Sequence, residues 1–202
     1  MSNTAATFIA KSTIKAADLE HRRKINFNIG KYNAVVPIGK KQFTDVLQAR
    51  EIAKNKKWEA IEHLDQYLLE FEEKITARGA KVLWAETAAE ALAQIGAICK
   101  EKQCKTLVKS KRMVTEEIHL NQYLEENGIE SVETDLGEYI QQLDGEAPYH
   151  IVTPAMHKSK EDVARLFADK LGVPGGLSPE ELTLVARQKL REKYIQAEIG
   201  VT

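Results

Sequence analysis

The sequence predicts an α/β fold, a parallel sheet with flanking helices, preceded by N-terminal helices. Three observations carry this. Short apolar runs at Val82-Leu83-Trp84, Leu107-Val108, Ile129 to Glu133 and Ile151-Val152-Thr153 alternate with helical patterns. The helix starts and stops between them are marked by capping residues and by Gly or Asn-Gly. Strands separated by helices in this way build βαβ units, which join parallel strands.

Taken in order, Met1 to Ile14 reads as a loose arm. Ala16 to Phe27 is helical and carries the basic block His21, Arg22, Arg23 and Lys24, which reads as a solvated face. Asn28 to Gly39 reads as a connection, because Pro37 argues against a central strand. Gln42 to Lys54 and Trp58 to Arg78 are helical. In the second, Ile61, Leu64, Leu68, Phe71 and Ile75 form one apolar stripe expected to pack on the sheet or on a neighbouring helix, and Gly79 closes it. Residues 1–79 are thus an N-terminal helical region and 80–202 the α/β domain.

Within that domain Val82 to Trp84 is the first expected strand. Thr87 with Glu90 is a capping box for a helix over Ala88 to Lys102. Thr106 to Lys109 is the next strand, and Val114 to Glu126 its helix. After the strand at Ile129 to Glu133, Thr134 to Tyr139 turns into a short helix, Tyr139 to Leu143. The strand at Ile151 is stopped by Pro154, and Ser159 caps Lys160 to Leu171. Ser178, Pro179 and Glu181 open a last helix running to about Glu192. Ala197 to Val201 starts another strand. The sequence therefore predicts a domain cut short at its C-terminal end, with one sheet edge or face left open to self-association.

Three loops follow successive parallel strands and fall at one end of the sheet, where α/β domains place ligands. They carry Lys109, Ser110, Lys111 and Thr115; Asp135 and Glu138; and His157 and Lys158. Cations beside a helix N-terminus suit a small carboxylate or phosphate. The competing structural readings are a solvated basic loop, helix-start chemistry at Asp135 and Glu138, and a bystander histidine. No nucleophile–base pair is defined by spacing, so the catalytic residues are unknown from sequence.

Composition narrows the classes. A net charge of −1 gives no support for non-specific nucleic-acid binding. No apolar run approaches a membrane span, and no signal peptide is evident, so the expected location is the cytoplasm. The two cysteines, Cys99 and Cys104, have neither Cys-x-x-Cys nor metal spacing and read as reduced thiols. No dinucleotide fingerprint is present.

Three ordered stretches resemble the lactate-utilisation protein B family, whose shared domain is called LUD. They are Lys109-Ser110-Lys111-x-Met113-Val114-Thr115-Glu116-Glu117-Ile118, Glu133-Thr134-Asp135-Leu136-Gly137-Glu138-Tyr139-Ile140, and His150-Ile151-Val152-x-Pro154-Ala155-x-His157-Lys158. Ala77-Arg78-Gly79 and Thr87-Ala88-x-Glu90-Ala91 also match. The resemblance implies a fold of the ribose-phosphate isomerase/CoA-transferase type. It also implies a parent protein with a following ferredoxin-like segment that binds two [4Fe–4S] clusters. That parent would work with A-type and C-type subunits in oxidising L-lactate to pyruvate. This chain contains none of the cluster cysteines, so no cofactor is expected in it and it is expected to be inactive alone. A non-catalytic scaffold that binds a small anion or docks other subunits is the alternative.

Overall fold

The computed structural model describes residues 4–110, 113–148 and 153–202. Packing divides the chain into two units. One takes in the segment up to Asn28 together with Glu86–Thr202, and the other is Ile29–Ala85.

The second unit is helical. It begins in α2 (Leu19–Lys40), which starts in the first unit, and continues through α3 (Val46–Glu62) and α4 (Leu64–Thr76). Asp45 caps α3 by accepting the N–H groups of Leu47 and Gln48. Gly79 adopts φ +90°, the left-handed geometry that glycine allows just past a helix end. Two expectations are corrected here. Asn28 to Gly39 is helix rather than connection, with Pro37 inside it. Pro37 removes one helical hydrogen bond, but Asn33, whose carbonyl would have received it, is exposed and open to water. Val82 to Trp84 forms no strand; Leu83 and Trp84 are exposed, and the Trp84 indole N–H donates to Glu72 at 3.2 Å. The stripe at Ile61, Leu64, Leu68 and Phe71 has the expected helical period but is exposed.

The first unit opens with α1 (Thr4–Ala17), where a loose arm was expected. The segment is alanine-rich and free of Gly and Pro, which favours helix despite the absence of buried residues. Its sheet contains β1 (Thr106–Lys109), β2 (Glu130–Glu133) and β3 (Ile199–Val201), all parallel, in the order β2-β1-β3. The strand expected at the chain's last residues is present as β3. The one expected at Ile151 lies outside the described residues except for Thr153, which is not in a strand.

Both edges of β1 are occupied, which explains why no further strand pairs with it. The outer edge of β2 is closed by a side chain. Gln142 accepts the N–H of Glu133 at 2.9 Å and donates to the carbonyl of Ser131 at 2.6 Å, as a neighbouring strand would.

Side chains alternate across β1 and bury two layers. Leu107 packs with Cys99 and Cys104 at the end of α5 (Ala88–Glu101), and with Leu120 and Leu124 of α7 (Leu120–Glu126). Val108 faces the other way, with Val132, with Tyr139 of α8 (Leu136–Asp144) and with Leu190 of α10 (Pro179–Gln196). A third cluster joins α8 and α10 to α9 (Lys160–Leu171) through Ile140, Leu166, Phe167, Leu182 and Ala186. Burial of each such leucine or phenylalanine contributes about 1.5–3 kcal/mol.

The local signals fare well. Ser159 and Ser178 each complete a capping box, with Asp162 and Glu181 returning the hydrogen bond, and Pro179 lies in the first turn of α10. At α5, Thr87 accepts from Glu90 N–H, but the Glu90 carboxylate reaches the N–H of Glu86 instead. The helix expected over Val114 to Glu126 is split into α6 (Met113–Glu117) and α7 by His119, at φ +56°. The break lets α6 present Thr115 and Glu116 to β1 while α7 drives Leu120 and Leu124 into the core.

Candidate functional site

The C-terminal ends of β1 and β2 meet at a buried ammonium. Lys109 is 1% exposed, and its Nζ lies 2.5 Å from a carboxylate oxygen of Glu133 and 2.5 Å from one of Glu116. It also donates to Thr115 Oγ1 at 3.1 Å. Lys109 and Glu133 are register partners in the parallel ladder, which brings the two side chains together. Glu133 also accepts from Asn121 Nδ2 at 3.2 Å, and Asn121 Oδ1 accepts from the Ser131 hydroxyl at 2.8 Å. A charge this deep requires such partners, because desolvation of an unpaired ammonium costs several kcal/mol.

The loop after β2 is tied to the end of β1. Thr134 donates both its N–H and its hydroxyl to the carbonyl of Lys109, each at 2.9 Å. Asp135 then caps α8, accepting from the N–H groups of Gly137 and Glu138. Gly137 is where this turn meets the next loop: a Cβ there would stand 3.0 Å from Pro154 Cδ. The loop expected to carry a site is therefore packed against both its neighbours.

The third group lies on the loop before α9. His157 Nε2 is 3.0 Å from Glu146, and Lys158 pairs with Asp144 and, at 3.0 Å, with Glu146. Burial opposes the Lys158 charge, but the hydrogen bonds to Asp144 and Glu146 outweigh it and hold the group above the ordinary lysine range. Burial likewise pushes Glu146 up, and His157 and Lys158 more than reverse it, so that carboxyl sits low.

The eight residues expected from sequence thus divide. Lys109 and Thr115 share one buried network. Asp135 caps a helix, and half-buried Glu138 begins the same helix. Half-buried Ser110 donates its N–H to the Val201 carbonyl at 3.0 Å, which extends the β1–β3 ladder. His157 and Lys158 form a separate cluster, and Lys111 lies outside the described residues.

Sequence reasoning missed the partners. Glu116 and Glu133 answer Lys109, Asn121 steadies Glu133, and Gln142 closes the outer edge of β2. It also missed that the first half of α2 takes part. His21 is buried, and its ring centroid lies 5.6 Å from that of His157. Lys24 donates to Asp162 at 2.5 Å, and Asn28 Nδ2 donates to the Met156 carbonyl at 2.6 Å. The signal was present in the basic block His21 to Lys24; Arg22 and Arg23 are indeed exposed, and the other two face inward. Between α2 and α9 lies a cavity of about 570 Å³, lined by His21, Lys24, His157, Lys158, Asp162 and Arg165 among others.

Cys99 and Cys104 offer no seat for an iron–sulfur cluster. Both are in the core, and burial raises both thiols, Cys104 to about 11, whereas a cluster is held by thiolates. Among the described residues no group of three or more His, Cys, Asp and Glu is placed to hold a metal ion, and no helix is long and apolar enough to cross a membrane.

A parallel sheet covered on both faces, with an ion-paired polar network at its strand ends, defines an α/β domain whose basic loops are held from within. Residues 68–202 match the model of the LUD domain, and the chain belongs to that family. It is 46% identical to lactate utilization protein B of Bacillus cereus (strain AH820) over 153 residues, covering 76% of this chain and 32% of the relative. It is 47% identical to lactate utilization protein B of Bacillus pumilus (strain SAFR-032) over 154 residues, covering 76% and 33%. The chain spans about a third of the length of the curated relatives it matches. No solved structure matches it.

Proposed function

We propose that this chain supplies the LUD domain of a lactate-utilization subunit of the B type, which works in the cytoplasm in oxidising L-lactate to pyruvate. The observation that carries this reading is the 46–47% identity to lactate utilization protein B, sustained over three quarters of the chain. In this reading electrons pass through iron–sulfur clusters bound by other parts of the parent protein, and A-type and C-type subunits complete the system. The chain's own contribution is positioning and assembly. The basic residues at its strand ends are matched by carboxylates, as befits a rigid platform rather than a reaction centre. A small carboxylate or phosphate would bind beyond the end of β1, beside Ser110.

The test is a gene replacement. In a bacterium that grows on L-lactate through such a protein, the matching third of its gene is exchanged for this chain's coding sequence. Growth on L-lactate at near the parental rate supports the reading. A stably expressed chimera that grows on glucose and not on L-lactate overturns it.

A further inference from the structure

The first turns of α8, α9 and α10 meet around a pocket of about 160 Å³. α8 lines it with Leu136 and Ile140, α9 with Val163 and Phe167, and α10 with Pro179 and Leu182. Each pair is three or four positions apart, so each helix turns one stripe toward the pocket. Phe167, Ile140 and Leu182 are buried members of the third core cluster, so the floor is core. Water in so apolar a space would lack partners, and a comparable volume, about 150 Å³ lined by Leu, Ile and Phe, takes a benzene ring.

One side chain breaks the apolar lining with a charge. Lys160 stands three positions before Val163, on the same stripe of α9, and is exposed at the rim. Among the described residues it makes no ion pair. Glu161 and Glu181 lie near enough to feel its charge. Glu181 is turned to its own cap, where it accepts the Ser178 N–H at 2.7 Å. The hydroxyl of Thr183, also in the lining, donates to the Pro179 carbonyl at 2.8 Å and is spent there. The helix ends themselves add little attraction, because first-turn acids answer them: Glu138 on α8, Glu161 and Asp162 on α9, Glu180 and Glu181 on α10.

We propose that this pocket binds a small monocarboxylate whose apolar body is about the size of a benzene ring, with the body on Ile140, Phe167 and Leu182 and the carboxylate at Lys160. The walls select the body by excluding water, which is the larger part of the attraction. Lys160 selects the head, and because it is exposed its share is modest. L-Lactate, short and hydroxylated, would leave most of the pocket empty, so the site does not depend on the lactate reading.

Methyl NMR of the full chain tests it, with phenylacetate as the probe. The Ile140 and Leu182 methyls should shift saturably, with a Kd of about 1 mM for a ligand of this size. Phenethyl alcohol, the neutral analogue, should move the same methyls and bind about threefold more weakly. Acetate, the head without the body, should leave them in place. Lys160→Met should erase the preference for the acid, and Val163→Phe, which fills the pocket, should abolish binding of both aromatic probes. If Val163→Phe does not fold, the acid and alcohol compared in wild type and Lys160→Met decide. The proposal is overturned by any of three results: no saturable shift at these methyls, an undiminished preference in Lys160→Met, or acetate binding there as well as phenylacetate. Methyl shifts that follow protein concentration without probe assign the pocket to a second copy and overturn it too.

Discussion

Replacing Lys109 by methionine tests whether its ammonium is part of the scaffold. Methionine matches the length of the lysine stem and fills its space, so the change isolates the charge. Lys109 is 1% exposed and the Glu133 side chain 6%, so the variant leaves a carboxylate buried with Asn121 as its remaining named partner. Breaking a buried pair on one side costs about 3–5 kcal/mol. Glu116 adds little, because its side chain is 42% exposed and can turn to water. Against a domain stability of about 5–15 kcal/mol, Lys109→Met should lower the urea midpoint by about 2 M. The double variant Lys109→Met, Glu133→Leu removes both charges and should recover most of the loss, because paired replacement by apolar groups is often neutral. Urea unfolding, with hydrogen exchange at β1 and β2 amides as the local readout, measures both. A single variant within about 1 kcal/mol of wild type, or a double variant no better than the single, refutes the reasoning.

Three further outcomes follow from the same structure. Gln141 is 1% exposed and its amide makes no hydrogen bond among the described residues, so Gln141→Leu should raise stability by about 1–3 kcal/mol in thermal unfolding. Gln103 holds φ +53° just past α5, where Cys104 N–H reaches the Cys99 carbonyl at 2.8 Å, so Gln103→Gly should stabilise by about 0.5–1 kcal/mol. Burial raises the Asp162 carboxyl, but hydrogen bonds from Lys24 and Ser159 outweigh it and hold the group well below the usual aspartate range. Its folded value lies below its unfolded one, so this stability is present at neutral pH and is lost as pH falls below the ordinary aspartate value. Asp162→Asn should cost about 1–2 kcal/mol at pH 7 and progressively less in acid, measured by urea unfolding across pH.

The features legible in the sequence are those set by neighbours along the chain. The capping residues Ser159, Ser178 and Asp135 need a donor within three residues, so their roles can be read directly. β1, β2 and β3 combine an apolar run with flanking helices, and all three are found. Val82 to Trp84 has the composition of a strand, but Leu83 and Trp84 are exposed and the Trp84 indole is held by Glu72 of the preceding helix instead of by a sheet. The identity of Lys109 as a strand-end cation was readable. Its burial was not, since that depends on the register that sets it beside Glu133, more than twenty positions away. The inward turn of His21 and Lys24 was hidden for the same reason: their partners, His157 and Asp162, come from the far end of the chain.

The proposed role makes this domain necessary for its parent protein to oxidise L-lactate. The direct measurement is pyruvate formed from added L-lactate in extracts of the gene-replacement strain, compared with the parent and with a strain deleted for the matching third of the gene. Near-parental pyruvate formation is expected with this chain in place, and little above background in the deletion. Equal rates with and without the domain would contradict it.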